Sequence, residues 1–182
     1  MHKDVERILL TEQQIDDKVK DIAAQIDEDY KNTVPVLLCI LNGAAVFAVD
    51  LMRKLKIDTE IDFMQASSYE DNVISKGTVT ILKNTKISLE GRDVIIVDDI
   101  ADTCVTLTYL LDKLKGYNPK SIKSCVLLNK LDVRKPQEDI KIDYKGADIP
   151  NEFVVGYGLD YANKYRDLPY IGILKKSVYE RK

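Results

Sequence analysis

Hydrophobic and polar positions along the chain repeat at two periods, one helical and one strand-like. Ile15, Val19, Ile22 and Ile26 recur at helical spacing behind Thr11-Glu12-Gln13-Gln14, which fits a capping box with Thr11 as N-cap and Gln14 reaching back. This predicts a helix with one face on the core. Val34 to Leu41 is an apolar run that reads as a buried strand, closed by Asn42-Gly43. Ala44 to Leu55 then reads as a helix with Val46, Phe47, Leu51 and Leu55 inward. Thr59 to Ala66 and Thr78 to Leu82 read as strands. They flank a polar, aperiodic stretch, Ser67 to Gly77, and together predict a hairpin with a long mobile loop. Val94 to Val97 is an unbroken branched run, the pattern of a strand covered on both faces. A helix follows from near Cys104, with Leu107, Leu110, Leu111 and Leu114 on one stripe, until Gly116-Tyr117-Asn118-Pro119 stops it. Ser121 to Leu128 reads as a further strand, Ile140 to Tyr144 as a short one, and Tyr170 to Leu174 as a closing one.

Strands alternating with helices predict an α/β fold: a mainly parallel twisted sheet flanked by helices on both faces. The expected organisation is a single domain over 1–182, with a core over about 30–175 and a mobile loop over about 67–77. The less regular last third is expected to form a small hood over the strand ends, with N-terminal residues available to join it.

Composition narrows the function. Lys+Arg 27 against Asp+Glu 30 leaves a net charge of -3, which is not the electrostatic footprint of a nucleic-acid binder. No apolar run is long enough to span a bilayer, and Met1 to Leu10 lacks a signal peptide's apolar core. These features predict a cytoplasmic protein with neither nucleic-acid nor membrane partners. The cysteines are Cys39, Cys104 and Cys125. Their odd number and spacing fit neither a disulfide framework nor a metal site, and suggest a reducing compartment. His2 is the only histidine and sits at a terminus, so a Ser-His-Asp or Cys-His mechanism is not supported.

The chemistry concentrates between Val94 and Leu107. Asp98, Asp99, Asp102, Thr103 and Thr106 sit where a buried strand gives way to a helix. Ligands of open α/β sheets bind at the carboxyl ends of strands, and a helix N-terminus offers free N–H groups to an anion. The turn therefore joins phosphate donors to carboxylates suited to hydroxyls, a metal or a proton. Asp98 and Asp99 can accept from vicinal ribose hydroxyls, or can simply cap the following helix.

Val94-Ile95-Ile96-Val97-Asp98-Asp99-Ile100-Ala101-Asp102-Thr103-Cys104-Val105-Thr106-Leu107 resembles the phosphoribosyl-pyrophosphate signature of type I phosphoribosyltransferases. Further stretches resemble the 6-oxopurine branch, the hypoxanthine(-guanine) phosphoribosyltransferases. They are Leu41-Asn42-Gly43-Ala44, Ser67-Ser68-Tyr69, Leu127-Leu128-Asn129-Lys130, and Phe153 to Tyr161 with Arg166-Asp167-Leu168-Pro169. All occur in family order, between Val36 and Leu174.

The resemblance implies a type I phosphoribosyltransferase fold with a hood and a mobile hairpin loop. It also implies transfer of phosphoribosyl from 5-phosphoribosyl-1-pyrophosphate to hypoxanthine, and to guanine as a further base, in purine salvage. Asp98 and Asp99 would hold the ribose hydroxyls, and Asp102 would be the catalytic acid/base at purine N7. Asp102, Thr103, Cys104, Val105 and Thr106 would cradle the 5-phosphate. Asn42, Gly43 and Arg166 would hold pyrophosphate. Lys130 would donate to the 6-oxo group, Phe153 would stack on the base, and Val154 and Asp160 would border it through backbone carbonyls. Ser68 and Tyr69 would sit on the lid. Mg2+ would be the cofactor, near Asp98, Asp99 and Asp160, and the assembly would be a homodimer or homotetramer. The family usually has Gly where Cys104 stands and Glu where Asp98 stands. If position 104 is helical its side chain costs little; a glycine-type conformation there would strain it. Two other readings share the fold: a nucleotide or phosphoribosyl-pyrophosphate sensor without catalysis, and a xanthine-preferring enzyme.

Overall fold

The computed structural model describes residues 1–68, 79–130 and 140–180. Its first strand, β1 (Val5–Leu10), has only Val5 buried while Glu6, Arg7 and Ile8 are exposed. Such an edge strand leaves little periodic signal, and the hydrophobic pattern does not predict it. Helix α1 (Glu12–Asp29) follows, with the expected capping box. The Thr11 hydroxyl accepts from the Gln14 N–H at 3.3 Å, and the Gln14 side-chain oxygen accepts from the Thr11 N–H at 2.9 Å. A cap of this kind contributes about 1 kcal/mol.

Strand β2 (Val36–Leu41) leads into α2 (Ala45–Lys54), then β3 (Glu60–Ser68) and β4 (Val79–Lys83). β3 and β4 pair antiparallel as the expected hairpin. Ser67 and Ser68, expected in the loop, belong to β3 instead, and the connection over 69–78, with Tyr69, lies outside the described residues. In α2 the buried stripe is Phe47, Ala48 and Leu51, whereas Val46 is exposed and Leu55 only partly buried. The inward assignment of Val46 is therefore corrected: the helix turns the 47/48/51 positions to the sheet, and 46 falls off that arc.

The next elements are β5 (Asp93–Ala101), α3 (Val105–Lys115), β6 (Ser121–Lys130) and β7 (Tyr144–Ile149). The strand expected over Ile140 to Tyr144 starts only at its last residue. Ahead of it, Asp143 is tied to β6 by side chains: its carboxylate accepts from the Ser124 N–H at 2.9 Å, and its own N–H donates to the Ser124 hydroxyl at 3.1 Å.

The six strands lie in the order β4-β3-β2-β5-β6-β7, parallel except for β4. The apolar runs of β2 and β5 resolve into two faces, as the strand period of two requires. Leu37, Cys39, Ile95 and Val97 pack with α1 and α2. Val36, Leu38, Ile40, Val94 and Ile96 pack with Leu107, Leu110 and Leu114 of α3. All three cysteines are buried, and none forms a disulfide.

The last third of the chain contributes β8 (Val154–Val155), β9 (Ile171–Leu174) and the short α4 (Lys176–Tyr179). β1, β9 and β8 form a separate three-stranded antiparallel sheet. This is the hood, and β1 supplies its N-terminal part. Parallel register places Leu41, Ala101 and Lys130, the last residues of β2, β5 and β6, along one edge of the main sheet.

Candidate active site

Four segments meet at that edge. The first is the turn after β2, where the Leu41–Asn42 peptide is cis and Gly43 lies directly against Asp99. A Cβ on Gly43 would fall 1.8 Å from the Asp99 Oδ2 atom, so no other residue fits without moving that carboxylate.

The second segment is the end of β5 with the turn into α3. Asp98 and Asp99 lie within the strand, which runs on to Ala101. The reading that they end the strand and lie in the turn is thereby corrected, and neither caps α3. The Asp98 carboxylate accepts from the Asp99 N–H at 3.0 Å, and that of Asp99 from the Ile100 N–H at 3.0 Å. Enclosure in the cleft, followed by the charge of Asp99, pushes the Asp98 carboxyl well above the usual carboxylate range. Enclosure raises Asp99 as well, and its hydrogen bonds and the nearby Arg166 charge oppose that rise.

Cys104 is the N-cap of α3. Its backbone is left-handed, φ 62 and ψ 6, and it makes no side-chain cap to the helix. The expectation that a helical backbone would accommodate this side chain at little cost does not apply. The N-terminal turn of α3 still directs its dipole and N–H groups toward the cleft.

The third segment ends β6. The Lys130 ammonium meets the Asp102 carboxylate at 2.9 Å, and only 9% of its side chain is exposed against 44% for Asp102. The fourth is the loop after β8. Arg166 pairs with Asp160 at 2.7 Å and donates to the Gly158 carbonyl at 2.6 Å. The Asp160 carboxylate also accepts from the Asn163 N–H at 2.8 Å.

Together these segments enclose a cavity of about 410 Å³, whose lining includes Asn42, Gly43, Asp98, Asp99, Asp102, Thr103, Cys104, Thr106, Asp160 and Arg166. Lys130 joins it through Asp102. Val105 is the first residue of α3. Phe153 and Val154 stand outside the lining. The Phe153 ring is 37% exposed, stacks on Tyr179 at 5.0 Å and meets Tyr161 edge-on at 5.5 Å. The Val154 side chain is buried in the core. Ser68 ends β3. Among the described residues no three His, Cys, Asp or Glu are arranged to hold a metal ion, so Asp98, Asp99 and Asp160 do not form a ready-made metal cage. The residue that sequence reasoning missed is Gly158. At φ 98 it packs its Cα against the Gly43 carbonyl, where a Cβ would fall at 2.1 Å. The only signal was the glycine pair flanking Tyr157.

Residues 7–162 match the family model for the phosphoribosyl transferase domain. The chain belongs to the phosphoribosyltransferase family. It is 45% identical, over 99% of both chains, to a hypoxanthine-guanine phosphoribosyltransferase of Bacillus subtilis. It is 42% identical to the hypoxanthine-guanine-xanthine phosphoribosyltransferase of Tritrichomonas foetus, over 98% of this chain and 97% of that one. A crystal structure of a Staphylococcus aureus hypoxanthine phosphoribosyltransferase superposes with a TM-score of 0.93 at 42% identity, covering 100% of this chain and 97% of that one. In this phosphoribosyltransferase, Cys104 combines a left-handed backbone with a buried side chain.

Proposed function

We propose that this phosphoribosyltransferase moves the phosphoribosyl group of 5-phosphoribosyl-1-pyrophosphate onto N9 of hypoxanthine or guanine, giving IMP or GMP and pyrophosphate. The observation that carries the reading is the Asp102–Lys130 pair, 2.9 Å apart at the ends of adjacent parallel strands and beside the phosphate-ready start of α3. A 6-oxopurine offers complementary partners to both: a carbonyl for the ammonium and a ring nitrogen for the carboxylate. A 6-aminopurine would set an NH2 against the ammonium and leave two donors unpaired.

The remaining roles are those that the family resemblance implies. The amides at the start of α3, with the Thr103 and Thr106 hydroxyls, hold the 5-phosphate. Asp98 and Asp99 accept from the ribose hydroxyls. Asn42 and Gly43 amides and Arg166 bind pyrophosphate. Phe153 gives the base an aromatic wall, with Val154 and Asp160 carbonyls at its rim. The C1–oxygen bond to pyrophosphate breaks as the C1–N9 bond forms, through a sugar of oxocarbenium character. Asp102 accepts the N7 proton as N9 bonds to C1, so the base does not build up a full positive charge. Catalysis by the chain is mainly positioning and electrostatics.

The site fits Mg2+. Asp98 and Asp99 are crowded carboxylates whose pKa values are raised together, and a divalent cation relieves such crowding. Mg2+ commonly takes only one or two carboxylates, completing its shell with water and substrate phosphate oxygens, so the missing three-carboxylate cage is no obstacle. Asp98 and Asp99 would hold it, and it would supply positive charge to offset that of the departing pyrophosphate. A single domain, a homodimer or homotetramer, and a cytoplasmic setting complete the proposal.

The test is direct. The protein is mixed with Mg2+, phosphoribosyl pyrophosphate and each of hypoxanthine, guanine, xanthine and adenine, and the nucleotide is assayed. Product with hypoxanthine or guanine and none with adenine is expected. Nucleotide binding without product from any base would overturn the proposal in favour of a sensor. The name of the Tritrichomonas relative makes xanthine the informative third base.

A further inference from the structure

The hood loop contains three successive residues with positive φ: Gly156 at 100, Tyr157 at 51 and Gly158 at 98. Tyr157 is the one with a side chain, and left-handed backbone disfavours a Cβ. Its hydroxyl donates to the Asp50 carboxylate at 2.7 Å. Asp50 lies on α2, the helix that begins at the turn carrying Asn42 and Gly43, and the Ala45 N–H donates to the Asn42 carbonyl at 3.3 Å.

Two close approaches lead from the hood loop into the site. The Gly158 Cα rests on the Gly43 carbonyl, and the Gly43 Cα rests on the Asp99 carboxylate. Gly158 is held from its own side by Arg166. Its N–H donates to the Arg166 carbonyl at 3.0 Å and its carbonyl accepts from the Arg166 guanidinium at 2.6 Å. The Tyr157 N–H is likewise tied to the Leu168 carbonyl at 2.8 Å. Tyr157, Asp50 and Arg166 also line a second cavity, of about 590 Å³, and Arg166 borders both cavities. The Tyr157–Asp50 bond therefore closes a loop from hood to α2, to the Asn42–Gly43 turn, and back to the hood.

We infer that Tyr157 and Asp50 are positioning residues for the pyrophosphate end of the site: their hydrogen bond clamps the hood loop to α2 and holds the Asn42–Gly43 turn between Gly158 and Asp99. Neither residue lines the cavity of about 410 Å³ that holds the proposed site. The inference rests on the reading of Asn42–Gly43 as the pyrophosphate turn. Its consequence falls mainly on pyrophosphate, because Asn42 and Gly43 are the clamped turn itself, whereas the base is held by Asp102 and Lys130, outside the clamp, as well as by the hood residues Phe153, Val154 and Asp160.

The experiment compares Tyr157→Phe, Asp50→Ala and Asp50→Asn in the full chain with Mg2+. Loss of one such hydrogen bond is expected to raise KM for phosphoribosyl pyrophosphate, and Ki for inorganic pyrophosphate, about three- to tenfold in Tyr157→Phe and Asp50→Ala. KM for hypoxanthine should rise less than KM for phosphoribosyl pyrophosphate. Asp50→Asn keeps an oxygen that accepts from the phenol and should behave as the native enzyme, although it loses the charge that lies 4.0 Å from Arg53. Equal rises in both KM values, no rise in either, or an Asp50→Asn variant as impaired as Asp50→Ala would each overturn the inference. Should Tyr157→Phe fail to fold, Asp50→Ala reads the same bond from the half-exposed side of α2. A native enzyme that makes no nucleotide would instead count against the proposed reaction, so the two failures are distinct.

Discussion

The left-handed backbone at Cys104 makes a quantitative prediction about two variants, Cys104→Ala and Cys104→Gly. Cys104 is 5% exposed and packs in the cluster of Leu107, Leu110 and Val126. Both variants lose the buried sulfur equally, so their difference isolates the Cβ. At an ordinary buried position, Ala→Gly removes a methyl worth about 0.8 kcal/mol of burial. It also adds unfolded-chain freedom worth about 0.7 kcal/mol. Gly would then be the less stable by about 1.5 kcal/mol. At φ 62 the Cβ itself costs about 1.5 kcal/mol, which cancels that deficit. The two variants should therefore unfold together. In urea, with an m-value of about 2 kcal/mol/M, the ordinary case would separate their midpoints by about 0.7 M. Here the midpoints should agree within about 0.2 M at unchanged m. A Gly variant unfolding 0.5 M or more before the Ala variant, roughly a full kcal/mol, would refute the left-handed assignment.

Other outcomes follow from the site and from one structural carboxylate. Lys130→Ala should raise KM for hypoxanthine by about tenfold or more, because it removes a charged donor, while KM for phosphoribosyl pyrophosphate moves little; equal losses in steady-state kinetics would remove its assigned role. Asp102→Asn should lower kcat by roughly a hundredfold with both KM values within about threefold, and near-normal turnover would end the acid/base assignment. Gly43→Ala drives a Cβ into the Asp99 carboxylate and should weaken phosphoribosyl-pyrophosphate binding, measured by titration calorimetry, more than base recognition. Burial of Asp62 acts to raise its pKa, but the Thr85 hydroxyl and the Ile87, Phe63 and Lys86 N–H groups outweigh it and pull the value down to about 2. Since this folded value lies below the unfolded one of about 3.9, its stabilisation is complete above about pH 5 and is lost as pH falls toward 2. Asp62→Asn should remove about 2 kcal/mol of that acid-side slope, read as urea midpoints across pH 2–6.

The hydrophobic pattern carried the interior of the sheet because β2 and β5 are covered on both faces and show it as unbroken apolar runs. α1 was legible at its start, where Thr11 and Gln14 cap each other, and along its buried stripe. β1 was not, since one buried valine followed by three exposed residues has no period. β7 was displaced because its central Gly146 sits under the Leu127 carbonyl and offers no apolar side chain. At the site, family resemblance named individual residues but could not show who meets whom. Asp102 and Lys130 are 28 positions apart and meet only because β5 and β6 run parallel in register. Gly43 and Asp99 meet because β2 lies beside β5. At Cys104 the resemblance left helical and glycine-type backbones both open, and the cysteine itself carries no mark of which one holds.

The hood has a consequence for how the protein is made. β1 and β9 pair across most of the chain, Val5 opposite Leu174, and β8 joins only through β9. During synthesis the six-stranded sheet is complete once β7 has left the ribosome. β1 must wait until Ile171 to Leu174 arrive before its ladder can form. The loop with Asp160 and Arg166 is slung between β8 and β9. A nascent chain halted between Arg166 and Ile171 would thus contain all the proposed active-site residues, yet have nothing to moor two of them over the cleft.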